Sequence, residues 1–338
     1  MVCFGIDDIS RALVNTNNVT AQGAIGEEAL KRHAGDVLLT QILQDLVARD
    51  AITLQHRTSA RHASLLEFLT ARGFQVVERA QDWRLGATAR AALAAPKPSR
   101  DEWVFTDIAA VSRDPALFDA VLNLLTEAIA DEPSERAFLP IHPDALRRSL
   151  RAQRAGMVAM SGGRLQGLIA ASADDVVPDA LRLNLVLVRE DRRREGLASA
   201  MLARLLEAHD GTPLRLVAPA ATDLAAWLTG RGFVQVADLL LLERLLRKTV
   251  PVAPELLDEY VGRYVVEARP GVQIVIERHS DSLISKTRDM RDLLLASSAS
   301  EFFTRHHDGR GRFERDATGR VTRLVFNDGP RQLVAIRS

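Results

Sequence analysis

The run Leu185 to Leu202, LVLVREDRRREGLASAML, places an apolar strand, a charged turn and a helix start next to one another. The N–H groups of a first helical turn have no acceptor inside the helix. They also stand at the positive end of the aligned peptide dipoles, so they suit a phosphate or pyrophosphate. The spacing starts the helix at about Glu195–Gly196. Gly196 and Ala198 are small enough to let a ligand approach the backbone. Arg189, Arg192, Arg193 and Arg194 surround the turn with guanidinium donors.

The elements that must hold this turn alternate between strand and helix periods. Residues 103–111 (WVFTDIAAV) read as a strand. From Pro115 to Ala130, Leu117, Phe118, Val121, Leu124, Leu125 and Ile129 recur at helical spacing. Pro143 to Arg151 reads as a short helix. Met157–Met160 and Leu165–Ala171 read as a hairpin turned at Ser161-Gly162-Gly163. Leu181–Val188 is a strong strand, and Leu197–His209 a helix with Leu197, Met201, Leu202, Leu205 and Leu206 on one face. A strand at Leu214–Val217 and a helix at Thr222–Arg231 follow. Gly232 ends that helix in left-handed geometry. Phe233–Val236 and Leu239–Leu246 read as two closing strands.

The chain has 338 residues, 44 basic and 44 acidic, and 47% of them are hydrophobic. That length favours two or three domains, and the apolar fraction excludes a largely disordered chain. A net charge of zero gives no signal for nucleic acid. The single Cys3 excludes an intrachain disulfide framework or a Cys-rich metal site. No metal is expected: His33, His56 and His62 are irregularly spaced, and His306-His307 has no further ligands. Met1 to Arg11 lacks the pattern of a secretion signal, and no apolar run approaches the ~18–20 residues that span a bilayer. A cytoplasmic protein without membrane partners is the expectation.

Residues 88–102 (TARAALAAPKPSRDE) and 248–254 (KTVPVAP) read as linkers, because proline cannot continue a helix interior or a ladder. They divide the chain into 1–87, 103–247 and 253–338. The first segment repeats part of the second. Phe68-Leu-Thr-Ala-Arg-Gly-Phe74 echoes Trp227-Leu-Thr-Gly-Arg-Gly-Phe233, and Arg32-His-Ala-Gly35 echoes Arg193-Arg-Glu-Gly196. This reads as an internal half-repeat that has lost its front half. Val37 stands where a phosphate turn needs a small residue, so the first copy is expected to bind no cofactor. Leu38, Leu39, Ile42, Leu43, Leu46 and Val47 form its helical core face. The last segment has short β-like runs at Val272–Ile276, Ser282–Ile284, Glu301–Thr304, Arg312–Arg315, Val321–Phe326 and Leu333–Ile336. Their spacing suggests a small antiparallel barrel or sandwich.

With these residues in place, residues 103–247 resemble the GCN5-related N-acetyltransferase family. Its R/Q-x-x-G-x-G/A motif after the fourth strand is matched by Arg193-x-x-Gly196-x-Ala198. Val188 stands where the family's strand-end Val does, and Trp227 to Phe233 where it has a helix ending in Gly-Phe. The resemblance implies an α/β (α+β) chain: a mixed-sheet acetyltransferase fold, partly duplicated. It implies acetyl-CoA as co-substrate, with the pantetheine arm in a gap between splayed strands. Backbone groups of Leu187 and Val188 would pair with the pantetheine amides. Those of Arg193, Arg194, Glu195, Gly196, Leu197, Ala198 and Ser199 would hold the pyrophosphate. A small-molecule or peptide amine would attack the thioester carbonyl directly, with the N–H at about Val188 polarising it.

The chain departs from the pattern at the catalytic positions. Asn184 and Val186 stand where the family often has an acidic base, and Leu228 where it often has a Tyr acid. No catalytic residue is therefore assigned. Glu127, Glu132, Glu135 and His142 flank the expected acceptor groove, and Phe118, Leu125 and Phe138 give it a mixed surface. The last segment resembles the lipocalin-like β domain appended to many serine β-lactamase-like hydrolases, through Leu256-Leu-Asp-Glu-Tyr-Val-Gly-Arg-Tyr264, Asp281-Ser-Leu283, Glu301-Phe-Phe303 and Phe313 to Val321. Tyr260, Tyr264, Phe302, Phe303 and Phe326 are expected to fill such a barrel in preference to lining an apolar pocket. Two further readings stand beside the enzyme: a non-catalytic acyl-CoA-sensing or partner-binding protein, and one whose β domain binds an apolar ligand. The Leu-rich edge Leu239–Leu246 would be covered by a homodimer or by the first segment.

Overall fold

The computed structural model of the chain describes residues 3–4, 18–20, 34–86, 103–130, 143–219, 222–287, 291–305, 309–328 and 331–338. The first segment forms β1 (Cys3–Phe4), β2 (Asn18–Thr20), α1 (Ala34–Ala48), β3 (Thr53–Ser59), α2 (Ala63–Thr70) and β4 (Gln75–Leu85). The middle segment forms β5 (Val104–Asp107), α3 (Ile108–Val111), α4 (Pro115–Ala130), α5 (Pro143–Ala152), β6 (Ala155–Ser161), β7 (Arg164–Ala173) and β8 (Leu181–Val188). It continues with α6 (Leu197–Ala208), β9 (Leu214–Pro219), α7 (Thr222–Thr229) and β10 (Val234–Leu245).

One expected strand is shorter than its apolar run. β5 ends at Asp107, whose carboxylate accepts the Ala109 N–H at 2.7 Å and starts a helical turn. The turn buries Ile108 and Val111, which a continuing strand would point to opposite faces.

Among the described residues, ten strands share one sheet, in the order β2-β3-β10-β4-β9-β8-β7-β6-β5, with β1 paired to β8. Two closing strands were expected after α7; one twelve-residue strand is found. It does not turn back, because β4 of the first segment takes the place of a returning strand. β4 pairs with β9 from Ala80–Pro219 to Leu85–Leu214 and with β10 from Arg84–Val234 to Gln75–Glu243. β3 covers the other side of β10, from Leu239–Ser59 to Leu245–Thr53. The Leu-rich edge thus finds partners on both sides within the chain.

The internal repeat is visible in this order. β2 runs parallel to β3 as β8 runs parallel to β9, and each parallel pair is continued by an antiparallel strand of the other copy. The centre is the adjacent pair of contacts Arg79–Leu240 and Ala80–Leu239. The apolar core under α1 and α2 includes Leu240 and Leu242 of β10, so it too draws on both segments. The expected face of α1 is narrower than its six residues: Leu38 and Val47 are 52% and 57% exposed.

Ion pairs tie the copies together on the polar side. Arg215 of β9 donates to Asp82 of β4 at 2.9 Å and to Asp174, after β7, at 3.2 Å. The Asp174 side chain has no accessible surface. Burial alone would raise its pKa. Bonds from the N–H groups of Val177 and Val176 and from Arg215 outweigh this and hold it below the ordinary carboxylate value.

After α8 (Pro254–Tyr260) the last segment closes an eight-stranded antiparallel barrel: β11 (Gly262–Val266), β12 (Gln273–His279), β13 (Ser282–Lys286), β14 (Arg291–Ala296), β15 (Glu301–Thr304), β16 (Gly309–Arg315), β17 (Val321–Asp328) and β18 (Arg331–Arg337). The sequence pattern missed β11 and β14. Tyr260 stacks on Phe313 at 4.3 Å, and Phe302 meets both rings edge-on. The hydroxyl of Tyr264 donates to the Tyr260 carbonyl at 2.8 Å, and burial pushes its pKa up to about 12. These rings fill the barrel. It joins the sheet through Arg305, which donates to Glu243 of β10 at 3.0 Å, and through Asp50, which pairs with both Arg247 and Arg310.

Two outcomes test this architecture. Leu242→Ala, at a fully buried site between β3 and β4, is expected to cost about 2–4 kcal/mol and to weaken both segments in one denaturant transition. The contribution of Asp174 is complete above the ordinary carboxylate pKa of about 4 and is lost as pH falls through its lower folded value. Denaturation midpoints measured from pH 6 to pH 3 should therefore fall less steeply in Asp174→Asn than in wild type.

Candidate functional site

The site begins with a bulge. Ala170 pairs with Leu185 and Ala171 with Leu183, so Asn184 is an extra residue in β8. An extra residue bends its strand and strengthens the local twist. β8 then pairs with β9 only at Leu181–Leu214 and Arg182–Arg215. Beyond those residues the two parallel strands part. β1 pairs with Leu185 and Val186 at the inner end of the gap. Asn184 is fully buried. Its amide donates to Gln153 Oε1 at 2.9 Å and to Ser172 Oγ at 2.8 Å, and its oxygen accepts from Arg182 Nε at 3.1 Å. An amide that both donates and accepts satisfies the bulge, which makes Asn184 a structural node there.

Past the bulge, successive backbone groups alternate sides. The Leu187 carbonyl points at β7, 2.6 Å from where a Cβ on Gly167 would lie, and the Arg189 N–H donates to the Gln166 carbonyl at 2.9 Å. Val188, between them, turns its polar groups toward the gap. Of the expected pair Leu187 and Val188, the geometry therefore presents Val188, while Leu187 is used in holding β7.

The turn after β8 carries one short 3₁₀ stretch, Glu190–Arg192, then Arg194 at φ 67° and Gly196 at φ 88°. Gly196 is the residue before α6, and its carbonyl accepts the first helical bond, from Ala200 N–H at 2.9 Å. The N–H groups of Leu197, Ala198 and Ser199 precede that bond and have no acceptor within the helix. Among the described residues, a Cβ added to Gly196 would meet nothing within 4 Å, so they leave the space over the turn open. α6 is pressed onto the sheet at Gly167, where a methyl group would lie only 3.2 Å from Met201 Cε and 3.4 Å from Leu197 Cδ2.

The four arginines differ more than the sequence suggests. Arg189 bonds Asp191 at 3.0 Å, which raises the arginine's pKa and lowers the carboxylate's. Arg192 lies 3.6 Å from Glu195, and Arg193 lies 4.0 Å from Glu190. Nε of Arg193 is buried with no hydrogen-bond partner among the described residues. Arg194 is exposed. The acidic residues of the turn thus offset most of its charge and leave Arg193 as the guanidinium with an unused inward donor.

Sequence reasoning missed two residues that border this turn. Trp227 Nε1 lies 3.4 Å from Ser199 Oγ, and Arg231 Nε donates to the same oxygen at 3.1 Å. Their place in the repeated motif was the available signal. Leu228 is fully buried in the core. Glu127 lies on α4, close enough for its charge to act on Arg189. Glu132, Glu135, Phe138 and His142, like His33, His306 and His307, lie outside the described residues. Thr58 Oγ1 and His62 Nδ1 are hydrogen-bonded at 2.9 Å. Among the described residues no cluster of His, Cys, Asp and Glu is placed to hold a metal ion, and no helix is long and apolar enough to cross a membrane.

No protein-family model matches the chain, and no curated protein matches it. Solved structures do. One is a GCN5-related N-acetyltransferase from Sphaerobacter thermophilus, with a TM-score of 0.53 and 16% identity over 71% of this chain and 76% of that one. Another is the tandem GNAT protein from the clavulanic acid biosynthesis pathway, with a TM-score of 0.52 and 15% identity over 70% and 77%. The likeness is one of fold: the chain has the mixed acetyltransferase sheet, partly duplicated, followed by a closed antiparallel barrel.

At φ 88° an L side chain is strained whatever the space around it. Gly196→Ala is expected to cost about 1 kcal/mol of stability, read from denaturant unfolding, without displacing any neighbour.

Proposed function

We propose that the chain is an acyl-CoA-dependent N-acetyltransferase that transfers an acetyl group to a small-molecule or peptide amine. The observation that carries this is one juxtaposition: the gap-facing backbone of Val188 leads directly into an open helix start at Gly196. The names of the structures that share the fold point the same way.

The residues present fit acetyl-CoA at two points. The unpartnered Nε of Arg193 needs an acceptor, and the space over Gly196 would admit a diphosphate. In this reading the N–H groups of Leu197, Ala198 and Ser199 hold the pyrophosphate, with Arg193, Arg194, Glu195 and Gly196 shaping the turn beneath it. Val188 pairs with an amide of the pantetheine arm, and its N–H is the donor available to a developing oxyanion. Bound acetyl-CoA would supply an acetyl thioester; direct attack by a neutral amine would form the C–N bond and break the C–S bond, with CoA leaving as the thiol after the proton lost from nitrogen reaches its thiolate through water. Cytoplasmic residence belongs to the same proposal.

A second reading is a protein that senses acyl-CoA without turnover. Asn184 is locked in its hydrogen bonds and Leu228 is buried, so neither position offers a proton-transfer group. β1 also lies in the inner part of the gap.

Calorimetric titration with acetyl-CoA and CoA tests the proposal. Micromolar binding to wild type, lost in Gly196→Glu, is the expected result. Binding with no acetyl transfer to any of a broad amine panel would favour the sensing reading. No binding at millimolar ligand would overturn both.

A further inference from the structure

The repeated motif places an arginine at equivalent points of the two copies, with different partners. In the first copy Arg72 precedes Gly73, which has φ 80°. Its guanidinium lies 3.7 Å from the Phe68 ring centre, and its Nη1 donates to the Phe68 carbonyl at 2.9 Å. Nε and Nη2 reach Asp36 in the first turn of α1. In the second copy Arg231 precedes Gly232, at φ 78°, and lies 5.5 Å from the Trp227 ring centre. Nε and Nη2 reach Ser199 in the first turn of α6.

The first copy therefore supplies its own anion at the helix start, and the second supplies a hydroxyl. Ser199 Oγ faces N–H groups from Arg231 and from Trp227, more donors than its two lone pairs can serve. Among the described residues no carboxylate pairs with Arg231. A half-buried guanidinium, held on an aromatic ring beside the positive end of a helix, is arranged for an anion from outside the chain.

We propose that Arg231 recognises a phosphate of the CoA nucleotide, either the pyrophosphate or the 3′-phosphate. The inference rests on the co-substrate reading above. It also explains why the first copy would take no nucleotide: the Asp36 carboxylate already holds the place a phosphate would need, and it would repel one.

The experiment compares wild type, Arg231→Gln, Arg231→Lys and Ser199→Asp by calorimetry with CoA, dephospho-CoA and 4′-phosphopantetheine, each variant first checked by thermal melting. The expected result is CoA binding weakened about tenfold or more by Arg231→Gln, and at least as much by Ser199→Asp, which recreates the pairing of Arg72. Arg231→Lys should recover part of the loss. If wild type binds dephospho-CoA as weakly as Arg231→Gln binds CoA, the contact is to the 3′-phosphate; if the variant weakens both ligands alike, it is to the pyrophosphate. CoA affinity within twofold of wild type in Arg231→Gln, whatever Ser199→Asp does, with Gly196→Glu still failing to bind, would overturn the role of Arg231 and leave the CoA site standing. Failure of wild type to bind CoA at all would overturn both.

Discussion

A strand in the middle of a sheet must find partners for its backbone on both sides, and β10 satisfies that requirement entirely with strands of the first segment. The rest of the molecule follows from this arrangement. β4 reaches β9 only because it lies beside β10, and Arg215 can then bridge Asp82 and Asp174 across the join. Neither segment completes its sheet without a strand from the other. The first segment is thus no appendage: β3 lies between β2 and β10, and β4 between β10 and β9. The barrel docks on the same strands, through Glu243 of β10 and Asp50 before β3.

Against this continuous pairing, the opening between β8 and β9 is a local exception built by one residue. The bulge at Asn184 stops the parallel ladder after two pairs, and three side-chain bonds keep the bulge itself satisfied. Further on, among the described residues, Nε of Arg193 and Oε2 of Glu195 are buried without a hydrogen bond, beside the gap-facing backbone of Val188 and the free N–H groups of the first turn of α6. Those groups follow one another along a single line from the strand end to the helix start. An extended, anionic ligand complements such a line, and the line is the candidate site.

Much of this was legible in the residues. Leu181–Val188, the hairpin at Gly162-Gly163 and the helix from Leu197 followed from periodicity and from glycines found at positive φ. The repeat was visible in the motifs at Phe68 and Trp227. Three features were not. The bulge at Asn184 depends on the register of β7, which no local pattern in β8 records. The exchange of β4 and β10 is a choice between partners of equal local propensity, made by contacts far apart in sequence. Arg291–Ala296 and Gly262–Val266 were missed because a barrel strand needs only alternate inward residues, and both runs mix charged and apolar types. The arginines around the turn stand together in the sequence, but only packing shows that each of Arg189, Arg192 and Arg193 meets an acidic residue of the turn while Nε of Arg193 is left without a hydrogen bond among the described residues.

The interleaved strands also fix an order of events during synthesis. Ala80 finds Pro219, and Leu85 finds Leu214, only after more than a hundred further residues have been made. Until residues 234–245 emerge from the ribosome, β3 and β4 have open edges and the core under α1 and α2 lacks Leu240 and Leu242. Such long-range pairing is slow, and the waiting strands are the kind that associate with neighbouring chains. The charged residues scattered along β4, Glu78, Arg79, Asp82 and Arg84, suit a strand that must remain soluble alone before it is enclosed.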